Sequence, residues 1–432
     1  MPVLLIGAYG FIGCAIAHEL VRRGQLVTGV GRDIEYGRRL LPKLRWVAAD
    51  LARMTAAERW APLLEGHDAV VNASGILQSG DGGSVEAVQF RATTSLIEAC
   101  EAAGIKRFVQ ISAAGAHLEA TYDFMATKAR ADEAIGASAV PSLVIRPGLV
   151  IGRNSFGGTE LIRMAAAAPV ALTLPFRRPI HCIALADVVE VVAEAIEQAV
   201  MPTGCFDLVE PEGRSLEAII AAHRQWLGLP TPRRSVRLPH WLLKAVGGAA
   251  DLFGLLGWRS PLRTNGLRAL EQGVTGDPGQ ARVLVGREPA SLEETLGEQP
   301  AGKQDRLHAR LGLALPLTLA ALFLMWAASG LATLLQLERA AAILADSGIG
   351  QDLAYVIAVG GALLDLILAV GLLWRRTVRP VLLTMIIITL AAYLIGGSVL
   401  LPDLWLDPLA PFAKALPATM LALVAYWLLE RR

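Results

Sequence analysis

The sequence predicts an α/β fold: a doubly wound parallel sheet with a smaller lobe after it, followed by a bundle of four transmembrane helices. Three observations lead there. An apolar strand at the N-terminus runs through a glycine-rich turn, Gly7, Gly10 and Gly13, into a helix. Short apolar strands then alternate with helical stretches over the first 150 residues, the pattern of a parallel sheet covered on both faces. From about Leu311 onward come four long apolar stretches. A chain of 432 residues holds two or three domains, and we expect three: 1–150, 151–300 and 301–432. With 40 Lys and Arg against 39 Asp and Glu, the chain has no global excess of positive charge, which argues against a nucleic-acid partner.

The first strand is Val3–Ile6. It is too short for a signal-peptide core and runs straight into the glycine turn, so no leader is expected. The turn opens a helix over Phe11–Arg23. Gly7 permits the tight turn, Gly10 lets a diphosphate approach the backbone, and Gly13 lets the helix pack on the strand. The N–H groups of the first helical turn then face the phosphates. Tyr9, Phe11 and Ile12 line the same turn, so all six residues are candidate cofactor contacts. The second strand, Gln25–Gly31, ends in Arg32 and Asp33. An acidic residue at that tip suits the ribose 2′-hydroxyl of NAD(H), and a guanidinium suits the 2′-phosphate of NADP(H). Arg32 favours NADP(H), and Asp33 keeps NAD(H) open.

Further strands are expected at Arg45–Ala48, Ala69–Ala73, Arg107–Ser112 and Ser142–Arg146, with helices including Thr93–Ala103 and Thr127–Ala137. Asp50 and Leu51 follow the third strand, near where adenine would lie; Asn72, Ala73, Ser74 and Gly75 close the fourth, at the carboxyl edge where ligands bind. Residues 151–300 should supply a substrate lobe. Within it, 238–258 is apolar, carries Trp241 and Trp258 near its ends, and contains Lys244 and Asp251. It reads as a helix lying on the membrane or packed on the bundle, not crossing. Cys14, Cys100, Cys182 and Cys205 have neither metal-site nor disulfide spacing and read as reduced structural residues, so no metal is expected.

The apolar stretches are about Leu311–Leu334, Ala354–Trp374, Val381–Leu401 and Pro411–Leu429. Each is near the ~20 residues that cross a ~30 Å hydrocarbon core. Lys303, Arg306 and Arg310 precede the first, Arg375, Arg376 and Arg379 separate the second and third, and Arg431 and Arg432 end the chain. The other two loops hold only Arg339 and Lys414. The positive-inside rule then places the soluble part, the middle loop and the C-terminus in the cytoplasm, against a bacterial-type inner membrane. Asp365, inside the second stretch, is either functional or a hydrogen-bonded tie between helices.

As a set, Gly7, Gly10, Gly13, Asp50-Leu51, Asn72–Gly75, Ile111-Ser112, Lys128, Arg146-Pro147-Gly148, and Asp187 after His181 resemble the extended and atypical short-chain dehydrogenase/reductases, over about residues 1–230. The nearer likeness is to the atypical branch that includes the Rossmann-fold accessory subunit of respiratory complex I. The C-terminal quarter resembles the DoxX-like four-helix membrane family. The resemblance implies that Ser112 and Lys128 stand at catalytic positions, that Lys128 also bonds the nicotinamide ribose, and that Arg146 and His181 approach the substrate. Active members carry a Tyr four residues before the Lys. Here that position is Phe124, which has no proton to give. Tyr122 would sit about 200° away on a continuous helix and could substitute only if the helix starts after it; Asp123 is the other proton carrier of the segment.

Two readings of function follow. In the first, the chain is a membrane-anchored NADP(H)-binding protein, a redox sensor or an accessory or assembly element of a membrane redox complex, with weak or no classical dehydrogenase activity. In the second, it is an NAD(P)H-dependent oxidoreductase acting on a lipophilic carbonyl or quinone at the membrane. A sugar-nucleotide epimerase is the weakest reading, because that chemistry relies on the absent Tyr.

Overall fold

The computed structural model describes residues 1–80, 83–120, 122–258, 260, 262–408 and 410–429. Arg431 and Arg432, used above for orientation, lie outside them. The chain divides into two compact units. One comprises Met1–Asp251 and Ser260–Arg306; the other comprises Leu252–Arg259 and Leu307–Arg432.

The first unit is built on strands β1 Pro2–Ile6, β2 Leu26–Gly31, β3 Arg45–Ala48, β4 Ala69–Asn72, β5 Arg107–Ile111 and β6 Ser142–Pro147. With β7 Leu149–Ile151, β8 Ala171–Thr173, β9 Cys182–Ala184, β10 Gly204–Leu208 and β11 Ser235–Arg237, they form three sheets. The main sheet runs β10-β6-β5-β4-β1-β2-β3, parallel throughout. Both faces of β1 are buried, as a parallel sheet under two helical layers requires. Val3 and Leu5 enter one core and Leu4 and Ile6 the other, following the two-residue period of a strand.

The helices are α1 Phe11–Arg22, α2 Ile34–Leu40, α3 Ala61–Leu64, α4 Ala92–Ala102, α5 Asp123–Gly136 and α6 Gly158–Ala167. They continue with α7 Leu185–Glu197, α8 Leu216–Trp226, α9 His240–Leu255, α10 Thr264–Gln272, α11 Pro278–Val285 and α12 Leu292–Gly297. Helix α1 stops at Gly24, whose φ of 79° lets the Gln25 N–H reach Leu20 O and turns the chain into β2. The smaller lobe pairs β7 with β9 and β8 with β11 around Ile151, Ile162, Ile180, Ile219 and Leu292. Its interior carboxylate, Glu210, accepts the backbone N–H groups of Cys182 (3.0 Å) and Leu292 (2.8 Å), so its burial is matched by donors. Asp187, also buried, is matched by Arg287 and by the N–H of Ala290 at 3.1 Å.

Among the described residues four helices are long and apolar enough to cross a membrane, Lys303–Leu335, Gln351–Gly371, Val378–Leu400 and Pro411–Leu428, and from Leu307 onward they belong to the second unit. The first begins eight residues earlier than its apolar stretch, because the polar turn Lys303–Arg310 is itself helical. A short helix, Leu337–Asp346, follows it. First and second spans approach closely at Gly330, where a Cβ would stand 2.6 Å from Ala362 O. Beside that contact Asp365 is buried, accepts from Ser329 Oγ at 2.6 Å, and takes the Tyr393 hydroxyl at 3.1 and 3.2 Å. Tyr393 lies on a π-helical stretch, Thr389–Gly396, of the third span. Residues Leu252–Arg259 also belong to this unit: Trp258 Nε1 donates to Leu373 O at 2.7 Å, and Arg375 N donates to Leu256 O at 3.0 Å. Helix α9 ends at Leu255, two residues before Gly257, whose φ is 87°.

Candidate cofactor and catalytic site

The glycine turn is a place where side chains do not fit. A Cβ on Gly13 would stand 2.2 Å from Gly7 O, and one on Gly7 would stand 2.9 Å from Ala73 O. Gly7 also has a φ of 77°, the left-handed region where L-residues are strained. The loop therefore packs β1, α1 and the end of β4 against one another by backbone alone. Gly10 caps α1 without a side-chain hydrogen bond, leaving the first-turn N–H groups at Phe11 and Ile12 to face outward. A diphosphate fits such a terminus.

Tyr9 ties this turn to the tip of β2. Its hydroxyl accepts the N–H groups of Arg32 (3.0 Å) and Asp33 (3.3 Å), and its ring stacks on Trp46 with centroids 5.8 Å apart. Gly31 makes room for it, since a Cβ there would lie 2.2 Å from the Tyr9 ring. Asp33 caps α2, one carboxylate oxygen accepting Tyr36 N at 2.9 Å. Arg32 is exposed and makes no ion pair among the described residues. Asp50 caps the 3-10 turn Leu51–Arg53 through Ala52 N at 3.3 Å.

Beyond the glycine turn, Asn72 organises the turn after β4. Its carbonyl oxygen accepts Ser74 N (3.2 Å) and Ser74 Oγ (2.6 Å), while its amide donates to Gln110 at 2.9 Å. Lys128, on α5 and buried, donates to Ile111 O at 2.7 Å and reaches Ser74 O at 3.5 Å. A Cβ on Gly75 would be 3.7 Å from its Nζ. Burial lowers the Lys128 pKa to about 8, against the opposing pull of Asp132 one turn along the helix. Asp132 is buried too. Its Oδ2 accepts both Ser112 Oγ and Arg146 Nε at 2.8 Å. Burial nevertheless pushes its carboxyl above the usual range, with Arg146 opposing most strongly.

Two parts of the chain match known families. Residues 7–199 match the NAD(P)H-binding family and residues 323–423 the DoxX-like family. A ceramide reductase of Caulobacter vibrioides is 23% identical over 266 residues, covering 59% of this chain and 78% of that protein. The Bordetella bronchiseptica enzyme WbmG, solved with NAD, superposes with a TM-score of 0.53 at 16% identity, over 69% of this chain and 92% of that one. UDP-glucuronic acid 4-epimerase of Bacillus cereus, also solved with NAD, gives 0.53 at 15%, over 72% and 100%. At those identities the solved structures establish the fold and not the reaction. The chain thus joins a Rossmann-like domain that matches the NAD(P)H-binding family to apolar helices that match the DoxX-like family.

Within this Rossmann domain the tyrosine position is the departure. Helix α5 begins at Asp123, four residues before the expected Thr127, because Tyr122 is extended (φ −137°, ψ 143°) and caps it. The condition under which Tyr122 could stand in is thus met. Tyr122 is buried with Met125, Ala116 and Ala129, Phe124 packs beside them, and burial pushes its phenol up to about 12. Ser112 is committed to Asp132. His181 turns its Nδ1 to Glu210 O at 2.9 Å, in the smaller lobe, and Arg146 turns to Asp132; no hydrogen bond joins either to Lys128 among the described residues. Two site residues escaped the sequence reading. Asp132 carried a signal, lying four residues after Lys128 on the same helical face. Gln89 carried none: it sits on a π-helical turn, Glu86–Arg91, and its side chain ties Ile76 O (2.6 Å) to Thr127 Oγ1 (3.1 Å).

Proposed function

We propose that this chain is an NAD(P)H-dependent oxidoreductase that reduces a carbonyl carried by a membrane lipid. The observation that carries the reading is Lys128. Its ammonium is held where the Ser74–Gly75 turn meets the end of β5, and its pKa is lowered to about 8. A lysine with that acidity holds a proton at neutral pH and releases it readily, as a general acid should. A bound reduced nicotinamide supplies the hydride for the carbonyl carbon. Gly7 to Gly13, with Ala73, hold the diphosphate; Asp50 and Leu51 lie toward adenine. The Asp132–Arg146–Ser112 cluster braces α5 against β5 and β6, fixing the backbone that aims Lys128. Residues 1–150 hold the cofactor, 151–300 shape the substrate side, and 301–432 anchor the protein. The likeness to a ceramide reductase supports a lipid substrate.

Arg32 supports NADP(H) over NAD(H): its guanidinium is exposed beside the β2 tip, while Asp33 is engaged as a helix cap. The Lys and Arg residues flanking the spans support a cytoplasmic Rossmann domain and C-terminus at a bacterial inner membrane. The test is turnover by the purified full chain in mild detergent, with NADPH or NADH and a long-chain keto-lipid, the hydroxyl product measured by mass spectrometry. Tight nucleotide binding without turnover would overturn the reading. A second reading rests on Phe124: without the phenol, the domain binds nucleotide as a redox sensor or as an accessory element of a membrane redox complex. A quinone acceptor stands between the two, because its product hydroxyls take protons from water. Phe124→Tyr separates them. A gain of carbonyl reduction absent from the parent chain marks a disabled reductase.

A further inference from the structure

Between Glu217 and Asp251 the chain contains no acidic residue, yet it carries Arg224, Arg233, Arg234, Arg237 and Lys244. Arg224 is spent internally, donating to Pro230 O and to Ala166 O and Ala168 O. The other four are exposed and have no ion pair among the described residues. They are displayed rigidly: β11 is held by its pairing with β8, and Leu238 N donates to Thr173 O at 3.0 Å, so the chain enters α9 from a fixed strand.

Helix α9 adds an apolar stripe. At about 100° per residue, Ala245, Gly248, Leu252 and Leu255 all fall within about 40° of Trp241. All five are exposed, Trp241 at 70%, Leu252 at 62% and Leu255 at 79%. Lys244 borders the stripe, about 60° away. The opposite face is the packed one: Leu243 is buried, and a Cβ on Gly247 would meet Leu267 of α10 at 3.1 Å. An exposed stripe of this length on a soluble helix is costly unless something apolar covers it.

We infer that β11 and α9 form a membrane-surface contact: the α9 stripe enters the headgroup boundary, and Arg233, Arg234, Arg237 and Lys244 bind anionic lipid headgroups. The exposed cations beside the apolar stripe select this occupant. A tryptophan leading an apolar stripe beside basic residues is the composition of an interfacial helix. Juxtamembrane cations draw anionic lipid, an attraction that falls off within a Debye length. The contact does not depend on the reaction proposed above.

The test is hydroxyl-radical footprinting of Trp241 in the full chain, in nanodiscs of phosphatidylcholine alone or with one third phosphatidylglycerol. Trp241 oxidation should be about tenfold slower in the anionic discs, and ~0.5 M salt should reverse most of the difference by screening. The combined variant Arg233→Gln, Arg234→Gln, Arg237→Gln, Lys244→Gln should lose the lipid dependence while still binding nucleotide, which shows that its Rossmann domain is folded. If that variant fails to bind nucleotide, Lys244→Glu alone should reduce the lipid dependence severalfold. Equal oxidation in both kinds of disc overturns the inference. So does equal protection by inorganic polyphosphate in neutral discs, which would mark a site for soluble polyanions.

Discussion

The two ends of the candidate cofactor site are built on different principles. At Gly7–Gly13 the requirement is space: backbone meets backbone at Ala73 and Gly7, and almost any side chain would collide. At Phe124–Asp132 the requirement is charge: a buried ammonium, a buried carboxylate and a half-buried guanidinium balance one another within one turn of α5 and the neighbouring strands. A steric requirement leaves a fixed pattern of glycines. A charge requirement can be met by several residue sets, and here the buried charges are paired with Phe124 standing where the resemblance leads one to expect a tyrosine.

That contrast is sharpest in substitutions that add or remove one group. Gly13→Val should abolish nucleotide binding, by at least ~100-fold in Kd by calorimetry, because the new Cβ collides with a backbone oxygen that cannot move aside. Near-normal affinity would mean that space is not what the loop provides. Lys128→Met should leave nucleotide binding within about tenfold but lower kcat/KM about 100-fold, a typical loss for a general acid. The pH profile checks the same residue. Turnover that needs the Lys128 ammonium falls as pH rises through about 8. Stability changes the other way. The folded pKa lies below the unfolded 10.5, so burial of the cation weighs fully below about 8, and stability rises between about 8 and 10.5. Lys128→Met should flatten that rise in urea titrations at successive pH values.

Smaller effects test the charge balance and the adenosine end. Asp132→Asn keeps the shape but leaves Arg146 without its anion. Because Arg146 is partly exposed, the expected loss is about 2 kcal/mol by chemical denaturation, below the 3–5 of a fully buried pair. No loss would mean that the cluster is not a brace. Arg32→Ala should weaken NADPH about tenfold, roughly 1.4 kcal/mol, and leave NADH unchanged. Equal effects on both cofactors would remove the case for a 2′-phosphate contact.

The difference between the two ends also explains what could be read from sequence. The glycine turn and the strand–helix alternation are local, and the parallel seven-stranded sheet follows from them. The four apolar helices were equally legible, because length and composition alone define them. The α5 start was not, since whether Tyr122 continues the helix or caps it depends on packing with Ala116 and Ala129. The partner of Arg146 depends on bringing α5 and β6 together, across fourteen residues of sequence. Gln89 depends on a π-helical turn, which no periodicity announces.

Asp365 bears on how the membrane unit is made. Its hydrogen-bond donors come from the span synthesised before it, Ser329, and from the span after it, Tyr393, 28 residues later. At ~5–20 residues per second, the carboxyl waits roughly 1–6 s after its own synthesis for the second donor. During that interval the second span carries a carboxyl for which only the Ser329 hydroxyl has been made. The carboxyl's full set of hydrogen bonds therefore exists only once the third span is in place, so the first three spans settle as one polar-tied group.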